Sequence, residues 1–133
     1  MFLVDTNVVS ELTRRAPNRG ALAWIGAHPT FALSAVTIEE LVFGIGRAPA
    51  ARRRELTEWL EELRGLVSAV LPVDEATARL SGELRASGER AGRQVAQADA
   101  LIAATAAISG AVLVTRNIKD FDWCGVTLVN PFT

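Results

Sequence analysis

Residues Gln97 to Thr115 place the tightest limit on what this chain can fold into. Gln97–Ser109 reads as a helix that is apolar almost all round, and Gly110 follows it, where helices commonly end. Ala111-Val-Leu-Val-Thr115 then reads as a strand with none of the alternation of a sheet that has one wet face. A helix and a strand without polar faces both need cover on two sides. The chain must therefore build a buried sheet with helical layers above and below it.

The rest of the sequence supplies those layers. Phe2–Asp5 reads as a strand that stops at Thr6-Asn7, with a helix beyond it to about Arg15. Pro17-Asn18 breaks that helix, and Arg19–Ala27 follows as a second short one. Phe31–Ser34 is the next strand, and Ser34 or Thr37 can cap a helix running to about Arg47. Ala50–Val67 is a charged amphipathic helix with Leu56, Trp59, Leu60 and Leu63 on one face. Val70–Val73 is a strand, Asp74–Arg90 a helix with Ala78, Leu80 and Leu84 among its apolar positions, and Val126–Val129 a last strand. Strands separated by helices predict an α/β sandwich around a parallel sheet.

A length of 133 residues fits one domain spanning 1–133. Half of the residues are apolar, which excludes a disordered chain. A net charge of −1 excludes a global positive field that would draw in nucleic acid. Arginines are instead local: Arg14-Arg15, Arg47, Arg52–Arg54, and Arg85, Arg90 and Arg93, which read as solvated helix surface. The lone Cys124 has no internal partner, and Met-Phe-Leu-Val is too short for a signal peptide. The apolar stretch at Ala100–Ile108 is too short to span a bilayer. A soluble cytoplasmic protein with no membrane contact is expected.

Acidic residues fall at the places where open parallel sheets bind ligands, outside the carboxyl ends of the strands. Asp5 ends the first strand; turn or cap chemistry would suit it equally. Asp99 enters the apolar helix, where a carboxylate needs a cation or a strong donor. Glu40 lies early in the helix after the second strand, although Thr37-Ile38-Glu39-Glu40 also fits a capping box. Asp120 and Asp122 follow the buried strand and share its rim with Asp5. Oxygen ligands without histidine or cysteine suit Mg²⁺ or Mn²⁺ over Zn²⁺. His28, alone and beside Pro29, reads as structural, and no histidine-based ribonuclease chemistry is available. A phosphatase with Asp5 as nucleophile is disfavoured by Asn7 two residues on and by the lack of a lysine near Asp99.

Four ordered motifs together resemble the PIN domain family: Leu3-Val4-Asp5-Thr6-Asn7-Val8-Val9-Ser10-Glu11, Leu33–Leu41, Ala98–Ala106, and the closing Val114-Thr115-Arg116-Asn117 with Val129-Asn130-Pro131-Phe132. The last pair resembles the VapC/FitB branch of bacterial toxins. The resemblance runs end to end and implies a three-layer α/β/α sandwich around a mainly parallel sheet of about five strands. It implies a Mg²⁺- or Mn²⁺-dependent endoribonuclease with Asp5, Glu40 and Asp99 in the three core acidic places. The fourth place falls to Asp120, before Phe121, because the position where some relatives carry an aspartate is Asn117 here. Thr6, Asn7, Ser34, Thr115 and Asn117 become candidates for orienting ligands or phosphate. The implied partners are an RNA substrate, a cognate antitoxin with a DNA-binding domain, and a second copy of the chain. Val8, Val9, Leu12, Leu41, Val42, Phe43 and Ile45 could supply a helix-packing surface, although most of them also read as ordinary core. Trp24 and Trp59 suit apolar packing, whereas Trp123 beside the acidic loop suits a base. The neutral Asn117 keeps a second reading open, a catalytically weak PIN module that binds RNA or a partner protein.

Overall fold

A computed structural model describes residues 1–133. Five parallel strands form one sheet in the order β3-β2-β1-β4-β5, with β1 Phe2–Val4, β2 Ala32–Ser34, β3 Ala69–Leu71, β4 Val112–Val114 and β5 Leu128–Val129. The helices are α1 Thr6–Val9, α2 Arg19–Ala27, α3 Ala35–Arg47, α4 Ala50–Leu66, α5 Glu75–Arg90, α6 Gln97–Ser109 and α7 Ile118–Phe121. None is long and apolar enough to cross a membrane. This is the expected α/β/α sandwich.

The strands sort their side chains by alternation. Leu3, Ala32 and Leu113 join Ile102, Ala103, Ala106 and Phe121 in one apolar cluster. Their neighbours Val4, Leu33 and Val114 join Val8, Val9, Leu41, Leu60 and Leu63 in the other. Because successive residues of a strand point to opposite faces, three adjacent strands in register feed both cores at once. The two clusters are the reason the β1 and β4 sequences carry no polar face.

The register places the site. The chain leaves β1 toward β2 and β3, then returns on the other side to β4 and β5. That reversal is a topological switch point, where a crevice opens beyond the carboxyl ends of the strands. Helix α6 runs back against the sheet and delivers the chain into β4 through Gly110, whose φ of 66° satisfies the helix end without a Cβ clash. Its opposite end, with Asp99, therefore lies at the crevice.

Several local expectations are corrected. The helix after Asp5 tightens to a 3₁₀ turn at Ser10–Thr13 and stops before Arg14. Ser34, not Thr37, caps α3: its hydroxyl accepts from Val36 N at 3.0 Å. Thr37 is fully buried inside the helix, so the capping box does not form. Helix α5 turns inward on Thr77, Ser81 and Gly88, whereas Ala78 is exposed. Small residues let α5 approach α6, whose own facing residues are largely alanines. The segment after Asn117 contains the unanticipated α7. Of the seven residues expected to form one packing surface, Val8, Val9 and Leu41 are core, while Val42 and Phe43 are 53% and 63% exposed.

Candidate functional site

Asp5 opens the crevice. It is the N-cap of α1, with Oδ1 accepting from Thr6 N at 2.8 Å. On the other oxygen, Oδ2 accepts from the Thr115 hydroxyl at 2.8 Å and from Asn7 Nδ2 at 3.1 Å. Asn7 Nδ2 also reaches Thr115 Oγ1, at 3.4 Å, and Asn7 Oδ1 accepts from Arg116 N at 3.2 Å. The backbone closes the join, since Asp5 N donates to the Val114 carbonyl at 2.8 Å. Asp5 is 5% exposed, yet every one of these donors is neutral.

Glu40 stands six residues, nearly two helical turns, beyond the Ser34 cap of α3. The Thr6 hydroxyl donates to its Oε1 at 2.6 Å and lies 3.1 Å from the Thr37 hydroxyl. One residue after Asp5 thus aims a carboxylate from a different element. Asn117 precedes α7 and its backbone N–H donates to Thr115 Oγ1 at 3.0 Å. Ser34 serves as the α3 cap and makes no hydrogen bond to any of the four acids.

Asp99 sits in the first turn of α6 and Asp120 in the first turn of α7. Both line one small cavity. No basic side chain forms an ion pair with Asp5, Glu40, Asp99 or Asp120; the pairs in the molecule lie elsewhere. Burial pushes the Asp99 carboxyl up to about 6, and the charges of Asp5, Asp120 and Glu40 add to the rise. Burial also raises Asp5, against the lowering effect of Thr115 and Thr6. Such shifts are the signature of carboxylates that share a site and lack a counterion.

The donor set fits a hard divalent ion, being all oxygen and electrostatically uncompensated. No three of the carboxylates converge closely enough to chelate one ion as they stand. Thr6 and the Thr115–Asn7 pair hold Glu40 and Asp5 in their present rotamers. Other nucleophiles are absent from the rim. His28 stacks on Trp24 at 4.0 Å between centroids, and its Nδ1 lies 2.7 Å from the Trp24 carbonyl. The Cys124 thiol donates to the Phe121 carbonyl, and burial pushes its ionisation upward.

One buried carboxylate was not singled out in the sequence. Glu11, 5% exposed, accepts from Asn18 N at 2.8 Å and pairs with Arg14 at 3.4 Å. The signal for it was present, a helix-breaking Pro17-Asn18 six residues on that needs an acceptor.

Residues 2–122 match the PIN domain family. A VapC ribonuclease, Y4jK, of Sinorhizobium fredii is 39% identical over 99% of this chain and 98% of its own length. Toxin FitB of Neisseria gonorrhoeae is 34% identical over 99% of both. The solved structure of FitAB bound to an IR36 DNA fragment superposes with a TM-score of 0.84, at 30% identity over 100% of this chain and 96% of the other.

Proposed function

The chain belongs to the PIN domain family, and on that premise we propose that it is a divalent-metal-dependent endoribonuclease, the toxin of a toxin–antitoxin pair. The observation that carries this reading is the rim of four carboxylates, none of them in an ion pair, where burial and then the neighbouring negative charges raise Asp99 to about 6. Asp5 and Asp99 would hold Mg²⁺ or Mn²⁺, with Glu40 and Asp120 completing the set. Bound there, the ion supplies a nucleophilic water at neutral pH and charge compensation at the phosphate.

The protein's own groups prepare that role. Thr115 and Asn7 hold one oxygen of the Asp5 carboxylate and Thr6 N the other, which orients it toward the crevice. Thr6 does the same for Glu40. Asp120 is read as the fourth acid over Asn117, because it lines the same cavity as Asp99 and its charge raises that carboxyl, whereas Asn117 is neutral. Residues 1–133 are read as one PIN domain, cytoplasmic, working as a homodimer. The DNA-bound FitAB neighbour supports an antitoxin partner with a DNA-binding domain. Val42 and Phe43, exposed on the helix that carries Glu40, give such a partner an apolar foothold.

The test is to sequence RNA 5′ ends after brief induction, with the wild type and with Asp99→Asn. New 5′-phosphate ends that need a divalent ion and vanish with the variant are the expected result. Cleavage persisting in excess EDTA, or in the variant, overturns the metal assignment. RNA binding without cleavage would identify a non-catalytic module instead.

A further inference from the structure

The cavity that holds Asp99 and Asp120 has a second wall of different chemistry. In about 220 Å³ it brings Arg93, Lys119 and Trp123 up against the two acids. Cations beside carboxylates ordinarily pair with them, and here they do not. Lys119 makes no ion pair, and Arg93 reaches only Asp122, at 3.7 Å, with both side chains about half exposed (48% and 53%). The indole is fixed. Its Nε1–H donates to the Asp120 carbonyl at 2.9 Å, and its six-membered ring lies over Gly88 of α5. A Cβ at Gly88 would stand 3.6 Å from the ring and 2.6 Å from Val95 Cγ2.

We propose that this wall is a nucleotide subsite for single-stranded RNA: Trp123 stacks on the unpaired base next to the cleaved phosphodiester, and Arg93 with Lys119 takes the adjoining phosphate. The inference rests on the ribonuclease reading and says where the substrate strand lies. Base stacking on a pre-fixed aromatic ring is tolerant of base identity and needs the base unpaired. Arginine suits a phosphate oxygen, and the only partner Arg93 must give up is Asp122, across a long and half-exposed contact. A second, larger cavity of about 680 Å³ shares Arg93 and adds Arg85. A strand leaving the acids along α5 meets Arg93 and then Arg85, with Glu89 on the same wall; Arg116 and Lys119 line a further cavity that also includes Asp120.

The experiment measures fluorescence anisotropy of a labelled single-stranded RNA oligonucleotide, with Mg²⁺, on protein carrying Asp5→Asn so that the probe stays whole. Cleavage by the wild type is assayed in parallel. Adding Trp123→Ala should weaken binding by about tenfold and leave its salt dependence unchanged, while Trp123→Phe keeps most of the affinity. Arg93→Gln should weaken binding and also flatten the plot of log Kd against log salt by about 0.7, the signature of one lost phosphate contact on a single strand. Asp122→Asn should tighten binding, because it releases Arg93. Arg93 is on the surface, so its variant decides the matter even if Trp123→Ala fails to fold. If the wild type cuts RNA while Arg93→Gln, or folded Trp123→Ala, matches the parent in affinity and slope, the subsite is wrong and the nuclease reading stands. If the variants behave as expected but the wild type does not cut, the subsite stands and the nuclease reading falls. No binding by the parent at all overturns both.

Discussion

Asp5 and Glu11 are six residues apart and equally buried, each 5% exposed, yet they sit in opposite electrostatic settings. Glu11 closes a turn: it accepts the Asn18 amide and has Arg14 within 3.4 Å, so its charge is answered inside the fold. Asp5 has only neutral donors and faces Asp99 and Glu40 across the crevice. The fold can hold a buried carboxylate with a cation, and it does so in the turn. At the rim it collects four acids and pairs none of them with a cation, although Arg93 and Lys119 line the same cavity as Asp99 and Asp120, which leaves compensating charge to come from outside.

The largest test of that contrast exchanges the two roles. Asp5→Asn or Asp99→Asn is expected to reduce RNA cleavage to background. Melting temperature should be unchanged or higher for Asp99→Asn, which relieves repulsion, while Asp5→Asn trades that relief against one lost acceptor. Glu11→Ala should do the reverse, keeping cleavage at temperatures where the protein is folded but costing about 1–3 kcal/mol in chemical denaturation, because the Asn18 amide loses its acceptor. Loss of cleavage by folded Glu11→Ala, or full activity in Asp5→Asn, breaks the comparison. Next in size is Thr115→Val, which removes a donor to Asp5 Oδ2 without changing charge. Steady-state assays should show a fall of roughly 10- to 100-fold, and an unchanged rate would mean that Asp5 needs no orienting.

Metal and proton should compete for the same rim. Saturating Mg²⁺ or Mn²⁺ at pH 7, at about 100 times its Kd, is expected to add about 2.7 kcal/mol of stability to the wild type and much less to Asp99→Asn. Equal gains would place the ion elsewhere. The smallest effect is the pH dependence of the metal-free protein. The folded Asp99 holds its proton to about pH 6, whereas the unfolded group releases it near the ordinary 3.8. Between those values the folded state binds more protons, so this contribution to stability is complete below the lower value and lost as pH rises through the upper one. In EDTA, melting temperature should fall by a few degrees between pH 4.5 and 7, and Asp99→Asn should remove that portion of the slope.

Much of this was readable before any coordinates, for definite reasons. Helices α2 and α6 run where the sequence placed them, because Asn18 and Gly110 are unambiguous punctuation and the apolar content of α6 leaves no alternative. The acids were readable by type and by position after strands. Hidden were features whose cause is tertiary. Thr77, Ser81 and Gly88 look like a polar helix face, and they are buried because close helix packing selects for size above hydropathy. Thr37 looks like a cap and is buried because Ser34 starts the helix earlier. Thr6 and Thr115 were visible as polar residues near strand ends, but their assignment to Glu40 and Asp5 depends on strands far apart in the chain. Arg93 read as solvated surface, and nothing local connects it to Trp123.

The hydrogen bond between Thr115 and Asp5 joins residues 110 positions apart, and it sets a timetable. Strand β1 leaves a ribosome well before its neighbour β4 and the Thr115 hydroxyl that holds Asp5. Throughout synthesis the first acid stays unanchored, with Asp99 and Asp120 still to be made. A truncated or half-finished chain thus has no assembled rim. The acids meet only when β4 and α7 have been made and packed beside β1.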